Sequence, residues 1–244
     1  METKNRGLGR LALEGILIVA SILVAFLLDA WWGEREAQQR LDQELTSVAR
    51  EVAENRILVE YEVETLDRIK AGSEAILALL KGAPTPQPVS LPDTLMFSVT
   101  YWSPTLDLSF GALDALISSG RLAQIRDPEL RLNLAGLRDL VEDAVGDEML
   151  AQNILMEQVY PAVSKYSDLS VVYRIDQQFG VADLAGETGQ PIPTFDTVLE
   201  IPGTPDVINA ILNRTSWLGT AVGEMRLVLT HLDSLSAMIE SGVR

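Results

Sequence analysis

A long apolar run near the N-terminus constrains this chain more than any other feature. Residues 11–32 are almost entirely apolar, and no charged side chain lies between Gly15 and Leu28. A helix of this length spans about 33 Å at 1.5 Å per residue, which matches a bilayer hydrocarbon core of about 30 Å. The sequence therefore predicts one membrane-spanning helix at residues 11–32, preceded by a tail at residues 1–10.

The ends of this run carry side chains typical of membrane interfaces. Trp31 and Trp32 stand together at the far end, and tryptophan is enriched where lipid headgroups meet water. Arg10 precedes the run, and long basic side chains at helix ends reach the headgroup level. We interpret these three residues as membrane-interface anchors.

A cleaved signal peptide is the main alternative, because basic residues precede the apolar run. The run is longer than the usual signal-peptide core. Its small-residue cleavage candidate, residues 28–30, begins with the large Leu28 and is followed by two tryptophans. These features favour an uncleaved anchor.

Basic residues near the run predict its orientation. Lys4, Arg6 and Arg10 lie on the N-terminal side, against Arg35 and Arg40 on the other. An excess of Lys and Arg marks the cytoplasmic side. We therefore expect a cytoplasmic N-terminus in a bacterial inner membrane, with the chain from residue 33 onward in the periplasm. A tail of about ten residues leaves no room for a signalling output domain.

Charge and cysteine content limit the partners. Residues 1–32 hold three basic and three acidic side chains, so the whole formal net charge of −16 falls on residues 33–244. Such acidity argues against binding nucleic acid or lying flat on anionic lipid. The chain has no cysteine, which excludes disulfides and thiolate metal sites.

Residues 33–81 predict a long amphipathic stalk helix, because they contain no proline and their apolar residues recur at steps of three and four. This stripe comprises Leu41, Leu45, Val48, Val52, Val59, Leu66 and Ile69, with Asn55 on the same face. Gly33 is the only weak point before the stalk, and one glycine costs about 1 kcal/mol without necessarily ending a helix. We expect span and stalk to be continuous.

Turn signals divide the remainder, residues 82–244. A proline-rich loop is predicted at 82–92, and an irregular loop with a short extended piece near Ser170 at 168–203. Shorter helices are expected over residues 109–118, from Asp127-Pro128, and from Gly146-Asp147 to Tyr160.

A long last helix is predicted at residues 204–241, capped by Thr204-Pro205-Asp206. Its apolar stripe comprises Ile211, Leu218, Val222, Met225, Leu229, Leu232 and Ile239. Antiparallel pairing with the stalk would bury both stripes. The predicted fold is therefore all-α: a transmembrane helix, a stalk and an elongated extracytoplasmic bundle.

No combination of residues predicts catalysis, a metal site or a cofactor. His231 is the only histidine, so a two-histidine metal site is excluded, and no nucleophile-elbow motif is present. We interpret it as a surface or core-edge residue of the last helix. The clustered carboxylates are interpreted as solvated helix faces: Glu60, Glu62 and Glu64, and Glu142, Asp143, Asp147 and Glu148.

One face of the span combines polar and small residues. Glu14, Ser21, Ala25 and Asp29 are spaced by seven, four and four, and small residues allow helices to approach closely in lipid. We predict that this span face contacts a partner. The alternative is that Glu14 pairs with Arg10 and the small residues are incidental. The span contains no histidine, which argues against a haem- or chlorophyll-carrying helix.

Several short motifs resemble an uncharacterised bacterial family of N-terminally anchored, single-span helical proteins. The resemblance rests on Glu14-Gly15, Asp29-Ala30-Trp31-Trp32, Glu34-Arg35 and Glu54-Asn55, and extends to Ser119-Gly120-Arg121-Leu122 before Asp127-Pro128. It covers about the first 60 residues and one internal stretch. The family implies this topology and a helical fold, without an activity or catalytic residues.

Together these features favour a non-enzymatic accessory subunit that braces or docks onto a larger membrane-protein complex, of respiratory or photosynthetic type. Partners are expected to be other membrane subunits and the bilayer, and a homo-oligomer stays open. One alternative is a periplasmic, hydrolase-like enzyme with a site under the 168–203 loop. Another is a module that binds a ligand or the cell envelope.

Overall fold

A computed structural model describes residues 3–83, 88–92, 95, 98–99, 106–170 and 198–242. Within these ranges the chain is predominantly helical, which confirms the predicted all-α class. The long helix α1 (Thr3–Gly82) is followed by the short helix α2 (Gly111–Ser118) and by two long helices, α3 (Pro128–Ile154) and α4 (Pro205–Gly242). Two short strands, β1 (Pro88–Pro92) and β2 (Val198–Pro202), pair antiparallel with Val89 opposite Ile201.

Helix α1 runs for 80 residues without a break. This corresponds to a length of about 120 Å. No other group lies within 4 Å of the position where a Cβ of residue 33 would be, and the helix is continuous through Gly33. The expected continuity of the apolar run and the stalk is confirmed.

Helices α1 and α4 pack antiparallel, as predicted. Arg56 pairs with Asp233 at 2.6 Å, and Arg226 pairs with Asp67 at 2.5 Å. Every stripe residue named above is buried, except that Leu229 is only partly buried. The apolar stripes of α1 and α4 therefore pack against each other. We call this contact the seam, and the rest of the bundle packs around it.

Helix α3 starts as predicted but does not end where predicted. The Asp127 side chain accepts hydrogen bonds from the backbone N–H groups of Glu129 (2.9 Å) and Leu130 (3.3 Å), and so caps the helix. The predicted helix start at Gly146-Asp147 is wrong, because α3 passes through these residues. One interior glycine costs about 1 kcal/mol, which packing of the flanking Ala144 and Ala151 offsets.

A π-helical turn follows α3 at Leu155–Val159, and a last α-helical turn covers Tyr160–Val163. Pro161 has no N–H to donate to the preceding turn, and wider turns are a usual way to accommodate such a break. The helical path therefore continues to Val163, three residues beyond the end predicted at Tyr160.

The strands are a correction to the predicted loops. β1 falls within the proline-rich loop at 82–92, and β2 ends the irregular loop at 168–203. Prolines correctly signal the end of α1, but the pairing partner of β1 lies over 100 residues away, where local patterns give no information. Residues 171–197, which include most of the predicted extended piece, lie outside the described ranges.

The buried residues that the structure describes form two apolar clusters. The first surrounds the paired seam of α1 and α4 with α2 and most of the length of α3, and includes Val48, Leu134 and Leu232. The second lies at the far end of α1 and contains Ile76 and Ile201. Trp217 packs against both clusters. The described residues from 41 to 242, which we call the bundle, thus form a continuous packed body.

Candidate functional site

The first candidate site is the exposed apolar segment of α1. Every residue from 17 to 40 is exposed; Phe26 is 68% and Leu27 70% accessible. By length and composition α1 is the one described helix able to cross a membrane, with an 18-residue window of mean hydropathy 1.7 and none of it buried. A core helix of a soluble domain would be covered by its own chain. An uncovered apolar surface of this size marks contact with lipid or with another protein.

The predicted span face lies on this segment. At 100° per residue, Glu14, Ser21, Ala25 and Asp29 fall within about 80° of each other around the helix axis. All four are exposed. The Ser21 hydroxyl donates to the carbonyls of Leu17 and Ile18, each at 2.9 Å, so its polarity is satisfied within the helix. The four residues therefore lie on one face of α1, and the contact of this face with a partner stays a prediction.

Two of the three predicted interface anchors, Trp31 and Trp32, lie at the far end of the apolar segment. Trp31 and Trp32 meet edge to face, with ring centroids 6.1 Å apart. The Arg35 guanidinium lies 5.6 Å from the Trp31 ring centroid, within the range of a cation–π contact. Arg10 belongs to α1, but its side chain lies outside the described part of the chain. The aromatic pair and its cation form one compact boundary group.

Two polar residues on the buried side of α1 hold the start of α2. Asn55 exchanges two hydrogen bonds with the backbone of Ser109, at 2.6 and 3.0 Å. The Glu51 carboxylate accepts from the N–H groups of Ala112 (2.7 Å) and Leu113 (3.0 Å). A carboxylate from α1 thus caps α2 from outside. Neither residue was assigned a role from the sequence, although a polar side chain on an apolar stripe, as at Asn55, is a signal of a buried hydrogen bond.

Glu62 and Glu148 correct the interpretation of the carboxylate clusters. They are 3% and 0% exposed, whereas Glu60, Glu64, Glu142 and Asp143 are exposed as predicted. Glu62 lies on the flank of the α1 stripe, and Glu148 follows Ala144 by one helical turn, so packing covers both. Sequence clustering alone did not separate these two from their solvated neighbours.

Glu148 accepts hydrogen bonds from the Gln152 side chain (2.8 Å) and the Leu106 N–H (3.3 Å). Burial, and then the nearby Glu62 carboxylate, raise the pKa of Glu148 from 4.5 to about 8. The side chain is therefore largely protonated at neutral pH.

A buried arginine lies between α4 and the segment before α2. Arg214 is 2% exposed and donates to the backbone carbonyl of Val99. Desolvation lowers the pKa of Arg214 to about 10, so it is still a cation at neutral pH. Close by, a Cβ at Gly72 would lie 2.2 Å from the Ser98 side chain, which explains the glycine. Sequence reasoning assigned no role to either residue.

His231 has a structural contact, as interpreted. Its Nε2 lies 3.0 Å from the carbonyl oxygen of Asn133. The nearby Asp233 pairs with Arg56, so histidine and aspartate have different partners. Among the residues that the structure describes, no cluster of three or more His, Asp or Glu side chains could hold a metal ion.

Comparison with known proteins adds no relative. No family model, curated protein or solved structure matches the chain. Function must be inferred from the chain's own residues, of which the exposed apolar segment is the most informative.

Proposed function

We propose that the chain is a non-enzymatic, single-span membrane protein that docks onto a larger membrane-protein complex. The N-terminus lies in the cytoplasm, and the bundle stands outside, in the periplasm of a Gram-negative cell. One observation carries the proposal: residues 17–40 of α1 are exposed, while the same helix is packed into a bundle from Leu41 onward. An apolar half and a folded half on one helix are the expected division between bilayer and solvent.

The polar interior supports a scaffold rather than a catalyst. Glu51 and Asn55 hold α2, Glu148 holds the segment at Leu106, and Arg214 holds the segment at Val99. Each of these buried side chains holds a connecting segment against a long helix. A catalytic side chain must be accessible to a substrate, whereas these side chains stiffen the bundle.

The dimensions of α1 support a bracing role. From Trp32 to Gly82 the helix rises about 75 Å at 1.5 Å per residue. Since no break separates this part from the apolar segment, the bundle is joined to the membrane by a continuous rod. A partner that grips the span face would therefore be held in a fixed relation to the bundle.

Arginines in the middle of the apolar segment are expected to remove the protein from membranes. Val19 and Leu23 are both 57% exposed and lie one turn apart. Each arginine near the bilayer centre costs about 2.5–3.5 kcal/mol, so Val19→Arg with Leu23→Arg should abolish recovery after carbonate washing. Membrane fractionation with immunodetection measures this loss.

The matched control is Ile57→Arg, which replaces a similarly exposed apolar residue of α1 outside the segment (65% exposed) and should stay in membranes. Recovery of the double-arginine variant with the membranes would contradict the anchor. So would an intact mass that matches a protein cleaved near residue 30.

A phosphatase that is active only outside the cytoplasm tests the orientation. Fused to the C-terminus, it should be active.

Larger side chains on the span face are expected to release the partner. Ser21→Leu with Ala25→Leu fills the closest part of the face, and should reduce a stoichiometric partner that co-purifies in mild detergent by about tenfold. Quantitative mass spectrometry of the co-migrating proteins measures this reduction.

The control pair Ala20→Leu with Ala30→Leu adds similar volume about 140° away around the helix, and should leave the complex intact. Equal loss in both pairs, or none in the first, would refute the assigned face. A wild-type protein that migrates alone would refute docking altogether.

A further inference from the structure

A cavity of about 290 Å³ lies at the end of the bundle that adjoins the apolar segment. Its wall on α1 begins at Gln38 and continues through Leu41 to Leu45. Gln38 follows Trp32 by six residues, or about 9 Å of helix. The opposite walls come from the start of α3, at Leu130, and the end of α4, at Ile239.

The chemistry of the lining is that of a site for an amphiphile. Leu41, Leu45, Leu130 and Ile239 make an apolar floor, and ligand cavities typically combine such a floor with a few polar groups. Five polar side chains complete the lining. Arg126 is cationic, Asp42 and Asp127 are acidic, and Gln38 and Gln124 are neutral.

The charges of the lining favour a zwitterion. Asp127 is committed to capping α3, and Asp42 accepts a hydrogen bond from Gln38 at 2.9 Å. Arg126 is exposed and supplies the cation that a phosphate prefers. The formal net charge of −16 disfavours a purely anionic ligand. A phosphate and an ammonium in one headgroup would match Arg126 and Asp42.

We propose that this cavity takes one acyl chain of a zwitterionic phospholipid from the adjacent bilayer, with the phosphate at Arg126 and the ammonium at Asp42. The proposal rests on the membrane anchor proposed above. Headgroups extend roughly 5–7 Å beyond the hydrocarbon core, so a rim about 9 Å past Trp32 lies just outside the headgroup layer. One chain stays in the bilayer, and the other turns outward along α1.

The size of the cavity fits one chain rather than two. The wall from Gln38 to Leu45 is about 10 Å long. At roughly 30 Å³ for each water-sized group, the cavity holds about ten such groups, which suits part of one acyl chain. The lipid would hold the base of the bundle against the membrane, where α1 leaves the interface.

Photolabelling of the full-length protein tests this site. The protein is reconstituted in nanodiscs of phosphatidylethanolamine containing a trace of the same lipid with a diazirine at one acyl end, and labelled peptides are mapped. Label is expected on the apolar segment, and separately on peptides that contain residues 38–45 or 125–130. Replacing the bulk lipid by phosphatidylglycerol should increase cavity labelling by the zwitterionic trace lipid, because the anionic competitor binds less well.

A matched pair of variants identifies the cavity. Leu130→Trp fills the floor and should lower cavity labelling by about tenfold. Leu132→Trp places the same side chain at a 73% exposed position of the same helix, and should leave labelling unchanged. Arg126→Glu, at an exposed position, keeps the floor intact and should also lower labelling.

The possible failures can be told apart. Label on the apolar segment without label on the cavity peptides overturns the lipid site and leaves the anchor standing. Equal cavity labelling in Leu130→Trp and Leu132→Trp also overturns the site. Absence of label from both regions overturns the anchor together with the site.

Discussion

Glu148→Gln is expected to raise the free energy of unfolding by about 3 kcal/mol at pH 7, and to change it little at pH 4. In the folded chain the pKa of Glu148 is about 8, against 4.5 for the unperturbed group. Between these values the folded protein holds a proton that the unfolded chain has released. Glu148 therefore destabilises the fold progressively as the pH rises from about 4.5 to about 8, and glutamine removes that dependence.

Glutamine is suited to this position because the hydrogen bonds can be kept. Its carbonyl oxygen can accept from the Leu106 N–H, and its amide can donate to Gln152, if the Gln152 amide turns over. Urea unfolding of the full-length protein in mild detergent, followed by circular dichroism from pH 4 to pH 9, measures the difference. Glu142→Gln, at an exposed position of the same helix, should change stability by less than about 0.5 kcal/mol. Parallel curves for Glu148→Gln and wild type would show that Glu148 is not buried in a neutral form.

Glu51→Ala is expected to lower the free energy of unfolding by about 2–4 kcal/mol. The Glu51 carboxylate is the acceptor for the N–H groups of Ala112 and Leu113, and also for the Ser109 hydroxyl at 3.3 Å. Removing it leaves the buried Leu113 N–H and the partly buried Ala112 N–H without an acceptor, and removes a negative charge from a helix N-terminus. Urea unfolding gives the size of the loss.

Glu54→Ala is the matched control for this change, because Glu54 is exposed one turn along the same helix. Its effect should stay within about 0.5 kcal/mol. Hydrogen exchange should accelerate at residues 109–118 in Glu51→Ala, while the α1–α4 seam keeps its protection. Equal stability of the two alanine variants would mean that the cap contributes nothing measurable.

Regular periodicity explains which parts of the fold could be predicted. The stripes of α1 and α4 repeat every three or four residues over long distances, so helix type and buried face follow from the sequence. Asp127-Pro128 marks a helix start by local chemistry, and the structure confirms it. Gly146-Asp147 has similar local features, but packing on both sides carries the helix through.

The missed features all depend on partners far away in the sequence. β1 exists because β2 pairs with it. Glu51 is a cap for a helix that begins 60 residues later, and Arg214 contacts carbonyls more than 100 residues earlier. Glu148 is buried by packing that neighbouring carboxylates do not announce. In the same way, the cavity near the apolar segment joins three helices, and no single stretch of sequence indicates it.

Because α1 is unbroken, it also fixes the angle around its axis between the span face and the face that packs in the bundle. Counting 100° per residue along one helix, Leu45 and Val48, which face the seam, lie roughly 140–200° around the axis from Ala25 on the span face. Ile57, an outward residue that is 65% exposed, lies only about 40° from Ala25. A partner bound to the span face would thus lie on the side of α1 that carries Ile57, opposite to the side that packs against α4. One residue inserted after Gly33 would turn the whole bundle by about 100° relative to the partner.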